Sequence, residues 1–269
     1  MNENIKDISK NLEILASNTL QLGLRKGLTG IALYFFFYAR FSRDERYEEI
    51  ANGLLERILK YIPKNNSYDF AHEFTDIGRT INFLSNEKFF EVEDDEFAGY
   101  FEESLILRMK LDVGTDFSFC YGITGLCDLF LNRENQEEAL DITIKHLYSG
   151  LRVKGHPKHP IESVFLFPSE VLRDVKIFFL KLEKMNIPIP QKKLLDHAIR
   201  KVEFKKVLRS NCPEYSVLQD LREAEIIGNQ QKIQSLLETI ATTSSDLIFK
   251  GLASLSLADN SLPAWWKLV

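Results

Sequence analysis

Apolar residues recur every three or four positions along most of this chain, and the strict alternation that predicts β-strands is nearly absent. Some segments are apolar on almost every side, as in residues 28–41, whereas others are apolar on one face only, as in residues 44–61. The pattern predicts an all-α protein. The predicted helices occupy residues 5–20, 28–41, 44–61, 74–86, 95–111, 123–131, 135–151, 169–182, 191–208, 216–227, 230–239 and 247–258.

The two kinds of helix alternate along the chain in about six pairs of roughly 45 residues each. A helix that is apolar all round is buried between other elements, whereas an amphipathic helix keeps one face in solvent. The alternation therefore favours an inner and an outer ring of helices in one closed α/α toroid domain that spans residues 1–269. HEAT and armadillo arrays have similar periods, so an open solenoid is the alternative architecture.

Glycine turns precede several of the apolar helices. Residues 27–30 read Gly-Leu-Thr-Gly, residues 122–125 read Gly-Ile-Thr-Gly, and a related pattern begins at Gly251. Residues 73–78 occupy the matching place in the second repeat, with acidic residues where the main glycines are expected. Glycine allows a tight backbone entry and a close neighbouring helix. We therefore expect these G-x-x-G-like turns to open the inner helices.

Three segments of the chain resemble the lanthionine synthetase C-like family: residues 23–40, residues 119–125 with the sequence Phe-Cys-Tyr-Gly-Ile-Thr-Gly, and residues 251–259. The resemblance covers most of the chain and is specific at these three turns. It implies an α/α toroid whose inner helices are opened by glycine turns, in a compact and degenerate form of the family. It also implies substrate-binding roles for turn residues. Those residues are Gly27, Gly30, Tyr121, Gly122 and Gly125.

The resemblance also implies a zinc site. Family cyclases hold zinc with two cysteines and one histidine, and the metal lowers the pKa of a peptide thiol that adds to a dehydrated Ser or Thr. Cys120 matches the first cysteine, with Phe119 in place of the family's tryptophan. The family's adjacent Cys-His pair is missing, because the three cysteines here precede Tyr121, Asp128 and Pro213. We therefore expect no cofactor, with Cys120 as the matching metal ligand only if zinc binds.

Three residues near the turn of the second repeat are candidate catalytic groups. His72 is a candidate acid or base, and Glu73 and Asp76, three positions apart, are candidate paired carboxylates. Each has a structural alternative: His72 as a capping or solvated residue, and the two acids as substitutions in a turn that no longer serves catalysis. Cys120 and Cys127, seven residues apart, have the alternative of small buried thiols on one helix face.

Composition narrows the classes of function. A net charge of −5 and a pI near 5.7 argue against a broad basic surface for nucleic acid. The most apolar run, residues 28–41, is too short to span a bilayer, and the polar N-terminus lacks the apolar core of a signal peptide. An odd number of cysteines without paired spacing is typical of reduced thiols. These features predict a cytoplasmic protein that neither binds nucleic acid nor inserts into membranes.

Three functions fit these observations. The first is a lanthionine synthetase C-like protein of ribosomal-peptide, lantibiotic-type modification, with a peptide substrate or a pathway protein as partner. If active, it would be a thioether-forming peptide cyclase. The second is a non-catalytic helical scaffold that binds a peptide or a partner. The third is a glycoside-active α/α toroid enzyme, which needs two carboxylates across a cleft, with Glu73, Asp76 and Asp128 as the suggestive acids.

Overall fold

The computed structural model of the chain describes residues 3–61, 70–90, 105–107, 109–110, 117–120, 122–131, 133, 135–154, 168–189, 192–193 and 213–268. The regular elements in this part of the chain are all helical, without a β-strand. The all-α prediction is therefore confirmed. The elements are α1 (Glu3–Asn18), α2 (Leu28–Ser42), α3 (Glu45–Tyr61), α4 (Phe70–Asn86), α5 (Ile123–Phe130), α6 (Gln136–Lys154), α7 (Pro168–Lys184), α8 (Pro213–Ile227), α9 (Gln230–Thr243), α10 (Leu247–Ala258) and a 3-10 helix (Trp265–Leu268).

The chain divides into two compact units. The first unit consists of Met1–Glu93 together with Ile227–Val269, and the second consists of Asp94–Ile226. Helices α1 to α4, α9 and α10 belong to the first unit, and α5 to α7 belong to the second. The predicted helices at residues 95–111 and 191–208 lie largely outside the described residues.

Helix α2 is the buried centre of the first unit. All twelve residues from Leu28 to Ala39 are buried, and the helix packs against α1, α3, α4 and α10. Aromatic rings make many of these contacts: the ring centroids of Phe37 and Phe83 are 6.3 Å apart, and those of Tyr38 and Tyr47 are 4.5 Å apart. The prediction that the most apolar run forms a buried helix is confirmed.

Neighbouring helices pack in pairs. Helix α2 packs on α3, α5 on α6, and α9 on α10. In the first and third pairs one helix is buried on most sides and the other buries only one face, as α9 does with Ile233, Leu237 and Ile240. None of the described helices combines the length and the apolar character that a membrane span requires.

The prediction that glycine-type turns open the inner helices is wrong at two of the segments. Helix α10 begins at Leu247, because the Asp246 carboxylate accepts hydrogen bonds from the backbone N–H groups of Ile248 and Phe249. Gly251 therefore lies inside this helix and does not open it. Residues 73–78 likewise lie inside α4, which begins at Phe70.

Gly251 has a packing role within α10. A Cβ atom placed there would lie 2.5 Å from Cε2 of Tyr34 and 3.0 Å from Cγ2 of Ile8. Because the Tyr34 side chain is itself fully buried, it has little room to move away. The glycine therefore permits the close approach of α10 to α1 and α2.

We predict that Gly251→Ala lowers the free energy of unfolding by ~1–3 kcal/mol, because the added methyl overpacks this contact. Gly53→Ala on α3 is the matched control, since a Cβ atom at Gly53 meets no atom within 4 Å. That control should raise stability by ~0.5–1 kcal/mol, the usual gain of alanine over glycine in a helix. Urea denaturation of both variants measures the difference, and equal effects would contradict the packing role.

Candidate functional site

The first glycine turn, residues 22–27, leads into α2. Gly27, the N-cap, has an extended backbone (φ −110°, ψ 175°) and provides no side-chain cap. Backbone carbonyls of the preceding chain take this role: the Gln21 carbonyl accepts from the N–H of Leu28 at 2.9 Å. The Leu22 carbonyl accepts both the N–H and the hydroxyl of Thr29, at 3.1 and 2.5 Å. The turn thus folds back onto the first residues of the helix that it opens.

Gly27 and Gly30 are required by this close approach. A Cβ atom at Gly27 would collide with the backbone of Gly23, and one at Gly30 would collide with the carbonyl of Leu24. Both glycines are buried. Their presence is therefore explained by packing of the turn, and their predicted role in substrate binding stays a prediction.

The two candidate carboxylates on α4 bind the backbone of this turn. Glu73 Oε1 accepts the N–H of Leu22 at 3.1 Å, and Asp76 Oδ2 accepts the N–H of Leu24 at 3.0 Å. Asp76 Oδ1 accepts from Nη2 of Arg79 at 2.8 Å, and the Arg79 side chain is only 3% exposed. Each acid therefore satisfies a backbone donor of the first turn. This role differs from both alternatives that the sequence leaves open, and the catalytic role of the two acids stays a prediction.

His72, the third catalytic candidate, belongs to α4. Its side chain lies outside the described part of the molecule, so its proposed acid–base role stays a prediction.

The second glycine turn, residues 117–122, leads into α5 in the second unit. Its N-cap Gly122 is also extended (φ −113°, ψ −173°) and has no side-chain cap. The Thr124 hydroxyl donates to the carbonyl of Phe117 at 2.9 Å. Gly122 and Gly125 are buried, whereas Tyr121 lies outside the described residues. The predicted substrate contacts of these three residues stay predictions.

A buried aspartate on α7 holds the second turn. Asp174 Oδ2 accepts the backbone N–H of Phe119 at 2.8 Å and the hydroxyl of Tyr215. Its Oδ1 accepts the side-chain amide of Gln219 at 2.9 Å and Nη2 of Arg222. The carboxylate is thus fully buried with four donors, three of them from α8.

Arg222 supplies the positive charge that pairs with Asp174 in this cluster. The side chain is 5% exposed, and its Cζ atom lies 4.0 Å from the ring centroid of Phe119. Burial opposes the charge of the guanidinium, but the negative charge of Asp174 outweighs it and raises the pKa of Arg222. Burial raises the pKa of Tyr215 well above its ordinary value, and electrostatic interaction with the neighbouring Cys120 and Asp174 adds to that effect. The phenol therefore remains a proton donor to Asp174.

The surroundings of Cys120 do not fit the zinc that the resemblance implies. The thiol is buried, and it lies close enough to Arg222 and Tyr215 to interact electrostatically with both. A guanidinium has no lone pair to offer a metal, and its positive charge opposes a bound cation. Within the described ranges, no three His, Cys, Asp or Glu side chains are grouped so that they could hold a metal ion.

Cys127 is a buried structural thiol on α5. Its side chain is inaccessible to solvent. Burial raises the pKa of Cys127 to about 12, partly offset by a hydrogen bond with Thr143. The thiolate, which is the nucleophilic and metal-binding form, is therefore disfavoured. This finding supports the alternative of a small buried thiol at this position.

Asp174 and Arg222 are the central polar residues of the cluster that holds the second turn, and neither is a candidate from the sequence alone. The sequence carries a weak signal for Asp174 alone. Asp174 lies between Val171, Val175 and Phe178 on the apolar face of α7, at the spacing of one buried helix stripe. A charged residue on such a stripe predicts a buried partner, but its identity cannot be read from a helix that is distant in sequence.

Comparison of the chain with protein-family models finds no match, and comparison with curated proteins finds no relative.

We predict that Asp174→Asn lowers the free energy of unfolding by ~3–5 kcal/mol, because it leaves the buried guanidinium of Arg222 without a compensating charge. Asp220→Asn is the matched control on α8. Asp220 pairs with Arg173 at 2.5 Å, but both side chains are about 30% exposed, and Glu223 also pairs with Arg173. The control should cost ~1 kcal/mol or less. Comparable losses in urea denaturation would refute the assigned role of Asp174.

We also predict that Cys127 contributes a loss of stability at alkaline pH. Its pKa is raised from 9.0 to about 12 by folding, so between these values the unfolded chain releases a proton that the folded chain retains. The contribution of Cys127 to the free energy of unfolding is fully present below pH 9 and declines by ~1.4 kcal/mol per pH unit above it. Cys127→Ala should remove this part of the pH dependence, although it lowers stability near neutral pH. Parallel pH profiles for the two proteins would contradict the prediction.

Proposed function

We propose that this chain is a lanthionine synthetase C-like protein of ribosomal-peptide modification that binds a peptide or a pathway protein without a complete zinc site. The observation that carries this proposal is the repeated turn geometry. In each unit an extended glycine N-cap opens an apolar helix, and a threonine two residues later bonds back across the turn. This geometry lies at two of the three segments that resemble the family.

The proposal includes the finer architecture. The hairpins α2–α3, α5–α6 and α9–α10 supply alternating buried and amphipathic helices. Such hairpins are the units from which a closed α/α toroid is built, because each needs a neighbour to cover its apolar face. We propose one toroid of about six hairpins, located in the cytoplasm.

A binding function is favoured over cyclisation by the chemistry around Cys120. A cyclase of this family needs zinc to lower the pKa of the substrate thiol. The sequence lacks the family's Cys-His pair. The side chains that act on Cys120 include a guanidinium and a phenol with a raised pKa. Both features support a protein that holds a peptide or a partner without activating its thiol.

The glycoside-active alternative gains no support from the candidate acids. Glu73 and Asp76 bind backbone N–H groups of the first turn. Asp128 lies 2.5 Å from the Lys181 ammonium and is mostly buried. A glycosidase needs one carboxyl group as acid and another as nucleophile or base across a cleft. Carboxylates held in these structural bonds are poorly suited to that task.

We predict that the purified protein co-purifies with a Cys- and Ser/Thr-rich peptide encoded beside its gene, yet contains far less than one zinc per chain. A tag on the peptide and elemental analysis of the protein measure these two properties. Thiol alkylation and mass spectrometry of the dehydrated peptide, with zinc added, should show no loss of free thiols. Stoichiometric zinc with loss of thiols would establish an active cyclase instead, and absence of peptide binding would defeat the proposal.

A matched pair of lysines tests whether the first turn takes part in binding. Lys26 and Lys88 are both exposed and both have φ of 57°, so glycine relieves the same backbone strain at each position. Lys26→Gly should weaken peptide binding severalfold because glycine gives the backbone of the first turn more conformational freedom. Lys88→Gly, beyond the C-terminal end of α4, should leave the affinity unchanged. Equal affinities for the two variants would remove the first turn from the binding surface.

A further inference from the structure

The two glycine turns have the same internal bonding at a constant separation of 95 residues. Each N-cap glycine accepts a backbone hydrogen bond four residues later, from Ile31 in the first turn and from Leu126 in the second, at 3.1 and 3.2 Å. Each threonine hydroxyl bonds to the carbonyl seven residues before it. The corresponding pairs are Leu22 and Phe117, Leu24 and Phe119, Gly27 and Gly122, and Thr29 and Thr124.

The carboxylates also correspond. Asp76 and Asp174 lie on the second helix after the one that the turn opens, α4 after α2 and α7 after α5. Each uses Oδ2 to accept the N–H two residues after the carbonyl that the threonine binds. Each uses Oδ1 to accept from a buried arginine, Arg79 in one unit and Arg222 in the other. Arg79 lies on the same helix as Asp76, whereas Arg222 lies on α8 and Asp174 on α7. The carboxylate is therefore the element that the two turns share.

The residue that follows the bonded N–H differs in chemistry between the turns. We name this position the tip; it is Arg25 in the first turn and Cys120 in the second. Arg25 is half-buried, and its guanidinium lies 5.7 Å from the ring centroid of Phe249, whereas Cys120 is buried beside the cluster of Asp174. The same bonds therefore hold a cation in one unit and a thiol in the other.

We infer that the two turns are copies of one module, in which an aspartate and a threonine position a variable tip residue: Asp76 and Thr29 position Arg25, and Asp174 and Thr124 position Cys120. The tip is then the specificity position of each turn. The inference rests on the proposed function only in assigning the tips to the binding surface. The following test needs no peptide, so its failure is distinguishable from failure of the proposed function.

The test measures how fast iodoacetamide alkylates a cysteine at each tip of the folded protein: Cys120 in the second turn and, in the first, the cysteine introduced by Arg25→Cys. Peptide mapping assigns each rate to its cysteine. A buried thiol reacts when its segment opens locally. Thr124→Val should therefore speed alkylation of Cys120 about fivefold, the factor that one hydrogen bond contributes. Thr29→Val should leave Cys120 unchanged but speed alkylation of the cysteine introduced by Arg25→Cys. Thr124→Ser, which retains the hydroxyl, should restore the original rate at Cys120.

Cys127 reports global unfolding in every variant, because it is fully buried in α5. Its alkylation should remain slow throughout. The inference is overturned if Thr124→Val leaves the rate at Cys120 unchanged, or if Cys120 reacts no faster than Cys127 in that variant, because Cys120 would then be exposed only by global unfolding. It is also overturned if either threonine variant changes both tips by the same factor. Should Arg25→Cys fail to fold, comparison of Thr124→Val with Thr29→Val at Cys120 alone still decides the question.

Discussion

The described structure depends on how a buried, wholly apolar helix can begin. The first N–H groups of a helix have no partner within it, and burial without a partner costs about 1–3 kcal/mol for each group. Helix α2 has no polar N-cap side chain, so the preceding chain turns back and supplies its own carbonyls. This turn exposes its own N–H groups, and the carboxylates of α4 accept them. The α4 acids therefore complete the entry to a helix that lacks a capping side chain of its own.

The same constraint applies to the turn before α5 in the second unit, where the carboxylate that accepts the backbone N–H is more deeply buried and costs more free energy to desolvate. Asp174 is fully buried, and a buried carboxylate is tolerated only with a nearby cation and several hydrogen-bond donors. Arg222, Tyr215 and Gln219 provide them from α8. The ion pair thus ties α7 and α8 to the turn before α5. Because both charges are buried, the cost of removing them from water offsets much of their mutual attraction.

The sequence pattern predicts much of the local structure and little of the long-range bonding. The apolar run of α2 and the segment 247–258 predict buried helices close to those observed, since periodicity depends only on neighbouring residues. Gly251 belongs to a similar sequence pattern as Gly27, but Asp246 caps the helix earlier and leaves the glycine inside it. Local similarity therefore does not distinguish a glycine that opens a helix from one that allows close packing.

The candidate site illustrates the same limit. Acidic residues at positions 73 and 76 suggest catalysis when only residue types are considered, because carboxylate pairs serve as acids and bases. Their actual partners are backbone N–H groups 51 and 52 residues earlier in the chain. Residue-type patterns identify nearby backbone donors, as at an N-cap, but not donors that lie on a segment distant in sequence. A site formed by side chains on adjacent helical turns is predictable from spacing, whereas one formed by a distant turn is not.

This long-range bonding couples the site to the stability of the fold. The contact between Phe119 and Asp174 spans 55 residues, and that between Leu24 and Asp76 spans 52, so neither turn can acquire its final geometry before a later helix has packed. Closing such a loop costs entropy that only the packed helices offset. A ligand that requires the folded turn therefore stabilises the whole unit by mass action. The tip residues can vary in chemistry because this framework, and not the tip itself, holds the turn.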